Sequence, residues 1–531
     1  MDSARNTSSR KWLADRLQPF LAQQRWFGGK ARALSSVEIL DVIPMSDDRA
    51  PAELVLASVK YADQFPDETY AVPLLTNRLV RPLLSRLSDS TLQLSEIENG
   101  TELQDALLDS GFLTLLLKAI DRGLIFRGED GEVSATSTST YQGLPRRSPN
   151  ELRPTLLKVE QSNSSVIFGD RFILKLLRQA GEGVNPELEI GSFLTERARF
   201  ANVPAVMGSI VYRSQASSRT IGILQSLVPN QGNAWEYTLR ALSDYFLRVV
   251  QAGRESPFTQ GSEERSGFGP QEAPAPALGL LGPYLQALEL LGRRTAELHL
   301  ALSTDRNDPN FAPEAFSASY RIELQRSLMV QWARTSQLLR TQLGGLAPGV
   351  RKRAQALLDL HGAVEQRLQA LAELTLDGSL TRIHGDYHLG QVLCSNGDFV
   401  IIDFEGEPAR PLRERRAKHS PLQDVAGMLR SLHYAADKGL REWLEAGKSG
   451  AVLSWPDWAR SWKDSASAHF IGAYTDSLSN VSLLPSSPRA SKVLLDVYLL
   501  GKATYELGYE LNNRPDWVSI PLEGMLEILC P

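Results

Sequence analysis

The loop-forming stretch His384-Gly385-Asp386-Tyr387-His388-Leu389-Gly390-Gln391 lies between two short apolar runs. Leu380 to Ile383 precedes it, and Phe399 to Ile402 follows it and ends in Asp403-Phe404-Glu405. Apolar runs of this length predict strands, whereas the glycines between them predict a loop. We therefore expect a small β cluster that presents carboxylate and amide side chains where its strands end.

Carboxylates and an amide in this order suit phosphoryl transfer. That reaction needs positioning and charge neutralisation, with one carboxylate at the acceptor hydroxyl and a second, beside an amide oxygen, holding Mg²⁺. Asp386, Gln391 and Asp403 follow the order of the protein-kinase pattern. Gln391 replaces the usual Asn, and Glu405 stands where protein kinases carry Gly. The sequence therefore predicts a small-molecule kinase that uses ATP and Mg²⁺.

Three other interpretations of this stretch stay open. His384, Asp386 and His388 alternate, so an extended strand would turn all three side chains toward one metal ion. The stretch is also compatible with a polar hairpin whose carboxylates are simply hydrogen-bonded. The carboxylates that follow the second apolar run would suit glycoside hydrolysis, although no hydrolase-like barrel pattern accompanies them.

The composition is that of an ordinary globular protein, with 42% hydrophobic and 22% charged residues among 531. Only two cysteines occur, Cys394 and Cys530, which fits a reducing compartment. A net charge of −5 does not favour nucleic acid or an anionic membrane as a partner. Met1 to Trp12 lacks an apolar signal segment, and Phe112 to Leu117 is far shorter than a membrane span of ~20 residues. We expect a cytoplasmic protein.

The order of predicted elements indicates three structural units and an α+β, bilobal protein-kinase-like fold. Residues 1–105 form an N-terminal cap subdomain, 106–228 the remainder of the N-terminal lobe, and 229–531 a mostly helical C-terminal lobe. For the cap, we predict a helix and three strands from the apolar spacing. These elements are Trp12 to Leu21, Val37 to Val42, Glu53 to Tyr61 and Tyr70 to Leu75.

A β-hairpin is predicted after residue 165, with Gly169-Asp170 as its turn between Val166 to Phe168 and Arg171 to Leu177. The polar segment before it occupies the place of the phosphate-covering loop of kinases, but it lacks that loop's glycines. Hydroxyl and backbone donors would have to bind phosphate instead, and a plain polar turn is the alternative. The candidate phosphate-binding residues are Ser162, Ser164 and Ser165.

Lys175 lies inside the apolar strand Phe172 to Leu177, where a lysine is unfavourable unless it is paired or at an edge. In kinases, a lysine at this place binds the α- and β-phosphates and pairs with a helix glutamate. Asn185-Pro186 predicts the start of the next helix, which carries Glu187 and Glu189. We prefer Glu189 as the partner, because apolar residues flank it.

The apolar run Thr220 to Leu227 predicts a strand that leads into the hinge between the lobes. The hinge backbone can hydrogen-bond adenine, and Gln225 and Leu227 are the candidates for this contact. Two segments rich in small and polar residues, 128–153 and 252–278, are predicted to be long loops.

Several stretches together resemble the bacterial maltokinases, which have an aminoglycoside-phosphotransferase-like fold. The resemblance spreads over most of the chain, and the combination is more specific than any single motif. The stretches are QRWFGGK at 24–30, RIHGDYHLGQVL at 382–393, IDFEGEP at 402–408, DVAGMLR at 424–430, KATYELGYE at 502–510 and NRPDW at 513–517.

The resemblance implies ATP-dependent phosphorylation of maltose to maltose 1-phosphate, which feeds α-glucan synthesis through a maltosyltransferase. It implies that Asp386 is the catalytic base and that Gln391 and Asp403 bind Mg²⁺, with Glu405 as a further ligand. Many members are fused to a trehalose synthase barrel, which this sequence lacks. The resemblance also leads us to expect association with trehalose synthase or the maltosyltransferase.

The C-terminal run suits a sugar site if it is helical, because its polar and aromatic residues then share one face. Aromatic rings stack on sugars, and charged groups hydrogen-bond their hydroxyls. A surface helix with paired charges is the alternative. The candidate acceptor-binding residues are Lys502, Tyr505, Glu506 and Tyr509, with His384 from the loop.

Two other functions remain as hypotheses. A kinase of the same fold could act on another sugar or an amino sugar, since the phosphoryl-transfer motif does not specify the acceptor. A non-catalytic binding protein of kinase shape is the second, and the presence of Lys175, Asp386 and Asp403 argues against it.

Overall fold

The computed structural model divides the chain into two compact units, residues 1–228 and 229–531. The predicted phosphate-binding Ser162 and most of the predicted loop 252–278 lie outside the described residues. The described residues are 2–45, 52–62, 66–75, 103–145, 147–157, 163–253, 279–374, 376–408, 410–447, 454–479 and 481–530.

The first unit begins with a helix packed on a four-stranded antiparallel sheet. Leu17 and Leu21 of the helix share a core with Val55, Val59 and Val72 of the sheet. The predicted helix and three strands of the cap are confirmed. The elements, in sheet order after the helix, are α1 (Asp2–Gln23), β1 (Leu34–Pro44), β2 (Ala52–Tyr61), β3 (Glu68–Leu75) and β4 (Gln104–Asp105).

A seven-stranded antiparallel sheet follows, in the order β5-β6-β10-β11-β9-β8-β7. The predicted hairpin is confirmed as β8 and β9, and the predicted helix start at Asn185-Pro186 is confirmed because Asn185 caps α4. The strands are β5 (Ile125–Arg127), β6 (Gly131–Ser137), β7 (Pro154–Leu156), β8 (Asn163–Phe168), β9 (Phe172–Leu177), β10 (Val206–Ser214) and β11 (Ser218–Ser226). The helices are α2 (Ser110–Arg122), α3 (Ser139–Gln142) and α4 (Pro186–Ser192).

The prediction of a long loop at 128–153 is wrong, because β6 and α3 lie within it. The Ser and Thr residues of β6 alternate with Val133 and Ala135, which are buried in the core of the unit. β6 pairs with β5 on one side and β10 on the other. Cross-strand pairing on both sides therefore outweighs a composition that is otherwise typical of loops.

Asp41 of β1 connects the cap sheet to the second sheet. Its carboxylate is fully buried and accepts hydrogen bonds from the Tyr212 hydroxyl at 3.0 Å and from the Glu129 backbone N–H at 3.0 Å. A Cβ at Gly128 would lie 2.6 Å from this carboxylate, so the turn can approach it only without a side chain. The two sheets are therefore joined by a satisfied buried acceptor.

We predict that Asp41→Ala lowers the free energy of unfolding by roughly 2–4 kcal/mol, because it leaves buried donors without an acceptor. Urea unfolding followed by circular dichroism measures this loss. The matched control is Asp130→Ala in the same turn, where the side chain is exposed and the expected change is within about 0.5 kcal/mol. Equal stability of Asp41→Ala and wild type would contradict the assigned role.

The second unit is mostly helical. α6 packs along α12, and α11 packs against α13, with Trp332, Trp458 and Trp462 almost fully buried. No helix among the residues that the structure describes is long and apolar enough to cross a membrane. The helices are α5 (Ala234–Gln251), α6 (Tyr284–Leu302), α7 (Ala318–Gln342), α8 (Pro348–Asp359), α9 (His361–Glu373), α10 (Leu412–Arg415), α11 (Leu422–Glu445), α12 (Trp455–Ser477), α13 (Pro488–Asn513) and α14 (Ser519–Leu529).

Two small β pairs interrupt these helices. β12 (Glu314–Ala315) pairs with β13 (Ser379–Leu380), and β14 (Val392–Ser395) pairs with β15 (Asp398–Ile401). The predicted strand at 380–383 is wrong beyond Thr381, which makes only an isolated bridge to His419. The predicted strand at 399–402 is confirmed by β15, which ends just before Asp403. The 384–391 loop thus lies between the two pairs.

Candidate active site

The 384–391 loop is held by the carboxylate of Asp424, near the start of α11. Asp424 Oδ2 accepts from the His384 backbone N–H at 2.7 Å, and Oδ1 accepts from the Gly385 N–H at 2.9 Å. His299 Nε2 lies 3.1 Å from the same carboxylate, and both side chains are fully buried. Burial alone would raise the pKa of Asp424, but the hydrogen bond and charge of His299 hold it below its ordinary value. The sequence analysis gave Asp424 no role, although it lies in a quoted motif.

His384 has a different role from the predicted acceptor contact. Its ring is 1% exposed, its Nε2 donates to the Ile402 carbonyl at 2.8 Å, and its Nδ1 accepts from the Asp386 N–H at 3.3 Å. Both ring nitrogens are therefore used within the protein. His384 positions Asp386 by connecting the loop to the end of β15, and its assignment as an acceptor-binding residue is corrected.

Lys502 of α13 lies between two carboxylates. Its Nζ is 3.2 Å from Asp386 Oδ1 and 2.6 Å from Glu407 Oε1, and Arg410 pairs with the other Glu407 oxygen at 2.7 Å. Burial favours the neutral amine, but Asp386 and Glu407 outweigh it and raise the pKa of Lys502. The structure thus joins two predicted site residues, Asp386 and Lys502, and adds Glu407.

The same ion pair determines the charge of Glu407. Burial would raise the pKa of Glu407, but Lys502 and Arg410 lower it below the ordinary value. Because the folded-state pKa is the lower one, this carboxylate contributes stability above its unfolded-state pKa and loses it as the pH falls through the folded-state value. At neutral pH Glu407 and Lys502 therefore form a charged pair, and Asp386 contacts the same ammonium.

Gln391, Asp403 and Glu405 form a set of hard donors. Gln391 Nε2 lies 2.7 Å from Asp403 Oδ2, and a carboxylate oxygen of Asp403 lies within 4.8 Å of one of Glu405. The two carboxylates offer oxygen ligands of the kind that Mg²⁺ prefers, and Gln391 would join them only through its amide oxygen, since its nitrogen donates to Asp403. Asp403 has a φ of 68°, a strained backbone conformation that is concentrated at functional sites.

The predicted acceptor-binding run 502–510 is helical and lies within α13. Its acidic residues each have a cationic partner: Arg430 Nε donates to Glu506 Oε2 at 2.8 Å, and Arg514 Nη2 donates to Glu510 Oε1 at 2.7 Å. The Lys502 ammonium lies 5.3 Å from the Tyr505 ring centre. Since Lys502 contacts Asp386, this face of α13 extends from the 384–391 loop.

Two aromatic residues mark the far end of this face. Tyr509 is 45% exposed, and the Arg514 guanidinium lies 5.3 Å from its ring centre. Trp517 stacks on Tyr434, with their rings 6.1 Å apart, and Arg514 also lies over Trp517. Seven residues separate Lys502 from Tyr509, which is about 10.5 Å along a helix axis.

In the first unit, Lys175 of β9 pairs with Glu187 of α4 at 2.8 Å. Glu187 is 2% exposed and also accepts from the Gln225 side chain at 3.3 Å, whereas Glu189 is only partly buried. The preference for Glu189 as the buried-facing partner of Lys175 is therefore wrong. Its apolar neighbours gave the wrong signal, because the Asn185 cap directs the first turn of α4 so that Glu187 faces the sheet.

Two of the three candidate phosphate-binding serines lie in a strand. Ser164 and Ser165 belong to β8, are 8% and 1% exposed, and pair with Leu176 and Lys175 of β9. Ser164 Oγ accepts from Arg178 Nε at 2.9 Å. The prediction that these two residues form a phosphate-covering loop is corrected.

Of the two hinge candidates, Gln225 lies in β11 opposite Ile173. The Leu227 N–H donates to the Arg171 carbonyl at 2.8 Å and is therefore engaged within the first unit. An adenine contact from Leu227 would have to use its carbonyl.

Two family models match the chain. Residues 20–117 match the maltokinase N-terminal cap domain, and residues 282–460 match the phosphotransferase enzyme family. The chain is a maltokinase-like protein with a phosphotransferase-family fold. The kinase-like fold class predicted from the sequence is confirmed, and the maltokinase-like protein is a phosphotransferase.

Curated relatives of this maltokinase-like protein include two glucosamine kinases. The one from Streptacidiphilus jiangxiensis is 23% identical over 381 residues, 70% of this chain and 72% of that protein. The one from Mycolicibacterium smegmatis is 26% identical over 370 residues, 69% of this chain and 77% of that protein.

Solved structures of glucosamine kinase have the same fold. The complex with glucosamine, ADP and inorganic phosphate gives a TM-score of 0.61 at 17% identity, covering 96% of this chain and 98% of that one. Crystal form B gives 0.62 at 17% identity, with 97% of each chain covered. At this identity the likeness establishes the fold alone.

We predict that Lys502→Met lowers kcat about 10²- to 10³-fold, since Asp386 and Glu407 lose the cation that they share. Steady-state kinetics with a phosphorylated acceptor as product measures the loss, and circular dichroism confirms the fold. Lys492→Met on the same helix is the matched control, because Lys492 pairs with Asp496 one turn later. Full activity of Lys502→Met would show that the ion pair has no part in turnover.

Proposed function

We propose that this phosphotransferase moves the γ-phosphoryl group of ATP onto a hydroxyl of a sugar, with maltose as the acceptor. The observation that carries the proposal is the contact of Lys502 with Asp386, which places a helix of charged and aromatic side chains beside the predicted base. The glucosamine kinase solved with ADP supports the use of a nucleotide.

In the proposed reaction, the oxygen of the sugar hydroxyl attacks the γ-phosphorus of ATP. Asp386 accepts the proton of that hydroxyl, and ADP leaves. Asp424 and His384 fix the loop so that the Asp386 carboxylate faces the acceptor rather than the protein interior. Lys502 also orients Asp386, because its ammonium lies 3.2 Å from Asp386 Oδ1.

Gln391, Asp403 and Glu405 would hold Mg²⁺, which supplies charge neutralisation on the phosphates when it is bound. Lys175 would bind the α- and β-phosphates, and Glu187 would orient the Lys175 ammonium. The Lys175–Glu187 distance of 2.8 Å supports this assignment, because it is the contact that an active kinase needs.

A neutral acceptor is supported by the charges on this face. Glu407 pairs with Lys502, Glu506 with Arg430 and Glu510 with Arg514. The ammonium group of an amino sugar would have to displace one of these lysine or arginine side chains before it could pair with a glutamate on this face. A neutral sugar requires only hydrogen bonds, which paired carboxylates and guanidinium groups still provide.

The length of the face supports a disaccharide. One sugar ring would lie beside Lys502 and Tyr505, where its reacting hydroxyl faces Asp386. The exposed Tyr509 ring, two helical turns farther, would stack on the second ring. The product of maltose would be maltose 1-phosphate, a substrate for a maltosyltransferase.

Glucosamine is the second candidate acceptor, because the curated relatives at 23% and 26% identity are glucosamine kinases. The two candidates differ in charge and length. For glucosamine to bind, one glutamate on the acceptor face would have to leave its lysine or arginine partner and pair with the ammonium group of the sugar.

We predict that a panel of sugars tested with ATP and Mg²⁺ gives turnover with maltose, and that phosphorus NMR places the phosphate on the anomeric oxygen. The panel contains maltose, glucose, glucosamine and trehalose at equal concentrations. Turnover of glucosamine without maltose would contradict the acceptor but leave the kinase assignment intact. Nucleotide binding without transfer to any sugar would instead favour a binding protein.

We predict that Asp386→Asn lowers kcat about 10²- to 10⁴-fold while nucleotide affinity stays nearly unchanged, because the amide cannot accept the hydroxyl proton. Rapid-quench assays of phosphoryl transfer and calorimetry with ADP measure the two effects separately. Asp437→Asn is the control, since Asp437 pairs with Arg441 one turn later in α11. Wild-type turnover by Asp386→Asn would exclude Asp386 as the base.

A further inference from the structure

The QRWFGGK motif of the cap has no part in the proposed reaction, yet it contacts the nucleotide half of the first unit. The Arg178 guanidinium lies 4.5 Å from the ring centre of Trp26. Arg178 directly follows β9, the strand that carries Lys175. A residue of the cap and a residue three positions from the phosphate-binding lysine are therefore in direct contact.

Arg178 is anchored on three sides. Its Nη2 forms an ion pair with Asp105 of the cap, its Nε donates to Ser164 Oγ of β8 at 2.9 Å, and its plane lies against Trp26. Ser164 is opposite Leu176 in the β8–β9 pair, and the next pair is Ser165 with Lys175. The guanidinium thus connects the cap to β8 and β9 next to the strand pair that contains Lys175.

The backbone at this place makes the same connection. The Arg178 carbonyl accepts from the Ala71 N–H at 2.8 Å, and the Ala180 N–H donates to the Thr69 carbonyl at 2.8 Å. Both partners belong to β3 of the cap. The segment that leaves β9 therefore extends the edge of the cap sheet, and its position depends on the cap.

A buried arginine is a poor way to gain stability. Arg178 is 2% exposed, and burial lowers the pKa of its guanidinium despite Asp105. Within the part of the chain that the structure describes, its Nη1 makes no hydrogen bond. An apolar side chain of similar volume avoids this desolvation, and buried ion pairs are often no more stable than such replacements. The arginine instead fixes geometry. Its planar guanidinium contacts Asp105, Ser164 and Trp26 at the same time and so holds these three residues in one arrangement.

We propose that Arg178 is a positioning residue for the nucleotide. Through Trp26 and Asp105, the cap uses it to hold β9 so that the Lys175 ammonium meets the phosphates of ATP. This role rests on the proposed function, because it assumes that Lys175 binds a nucleotide. It gives the cap a task in nucleotide binding and leaves the acceptor site to the second unit.

The test compares Arg178→Met and Trp26→Leu with wild type by calorimetry with ADP and Mg²⁺ in the absence of any acceptor. We expect ADP to bind about 3- to 30-fold more weakly to both variants, because the Lys175 strand loses its fixed register. The double variant should bind about as weakly as either single one. The KM of the acceptor should stay unchanged.

Arg10→Met is the matched control. Arg10 also joins the cap to the second sheet, through Glu129 and Asp130 at the turn between β5 and β6, but β10 and β11 separate β6 from β9. It should bind ADP as wild type does. Hydrogen exchange adds a second measurement: the amides of residues 172–178 should exchange faster in Arg178→Met and not in Arg10→Met.

The outcomes separate the two proposals. Wild type that binds no ADP would overturn the proposed function, and this role with it. Wild-type affinity in folded Arg178→Met would overturn only the positioning role. If Arg178→Met does not fold, Trp26→Leu decides, because it keeps the arginine and its ion pair while removing the ring of the cap.

Discussion

The second unit depends on one buried carboxylate that holds a loop by its backbone. Asp424 accepts from two consecutive N–H groups, those of His384 and Gly385, and His299 keeps it ionised in the interior. Gly385 has a φ of 85°, which a side chain would disfavour, so the loop turns sharply at this anchor. Asp386, the next residue, thereby points away from the core. Every chemical role assigned to the loop follows from this geometry.

Around Asp386, charge is compensated in pairs along α13. Lys502 and Arg410 together balance Asp386 and Glu407, and Arg430 and Arg514 pair with the next two acidic residues on the same face. An isolated charge in such a place would be costly to bury, whereas a paired one still offers hydrogen bonds in fixed directions. The arrangement suits a ligand with many hydroxyls and no net charge. Arg430, which lies beneath the surface, thereby fixes the charge of this face of α13 through Glu506.

The first unit uses the same principle for a different purpose. Asp41 and Arg178 are both buried, and each joins the cap sheet to the second sheet by accepting from or donating to several partners at once. Asp41 binds the turn before β6, and Arg178 binds the strand pair at Lys175. The cap sheet is therefore joined to the second sheet at two buried points.

The sequence by itself determined the elements whose signals are local. The helix and strands of the cap, the hairpin of β8 and β9, the start of α4 at its Asn185 cap and the strand before Asp403 all follow from periodicity, turn residues and capping. It also predicted Asp386, Gln391 and Asp403 as site residues from the order of carboxylate and amide side chains, and Lys502 from the spacing of polar and aromatic residues along a predicted helix.

Only the tertiary structure decided which side chains meet. Glu187 rather than the preferred Glu189 faces Lys175, because the capped first turn of α4 fixes the direction of each side chain against the sheet. His384 is buried and hydrogen-bonds the Ile402 carbonyl, and Ser164 accepts a hydrogen bond from Arg178. β6 is a strand despite its loop-like composition because it pairs with a strand on each side. These contacts join residues that are far apart in the chain, and the energy of a buried pair depends on geometry that no local pattern contains.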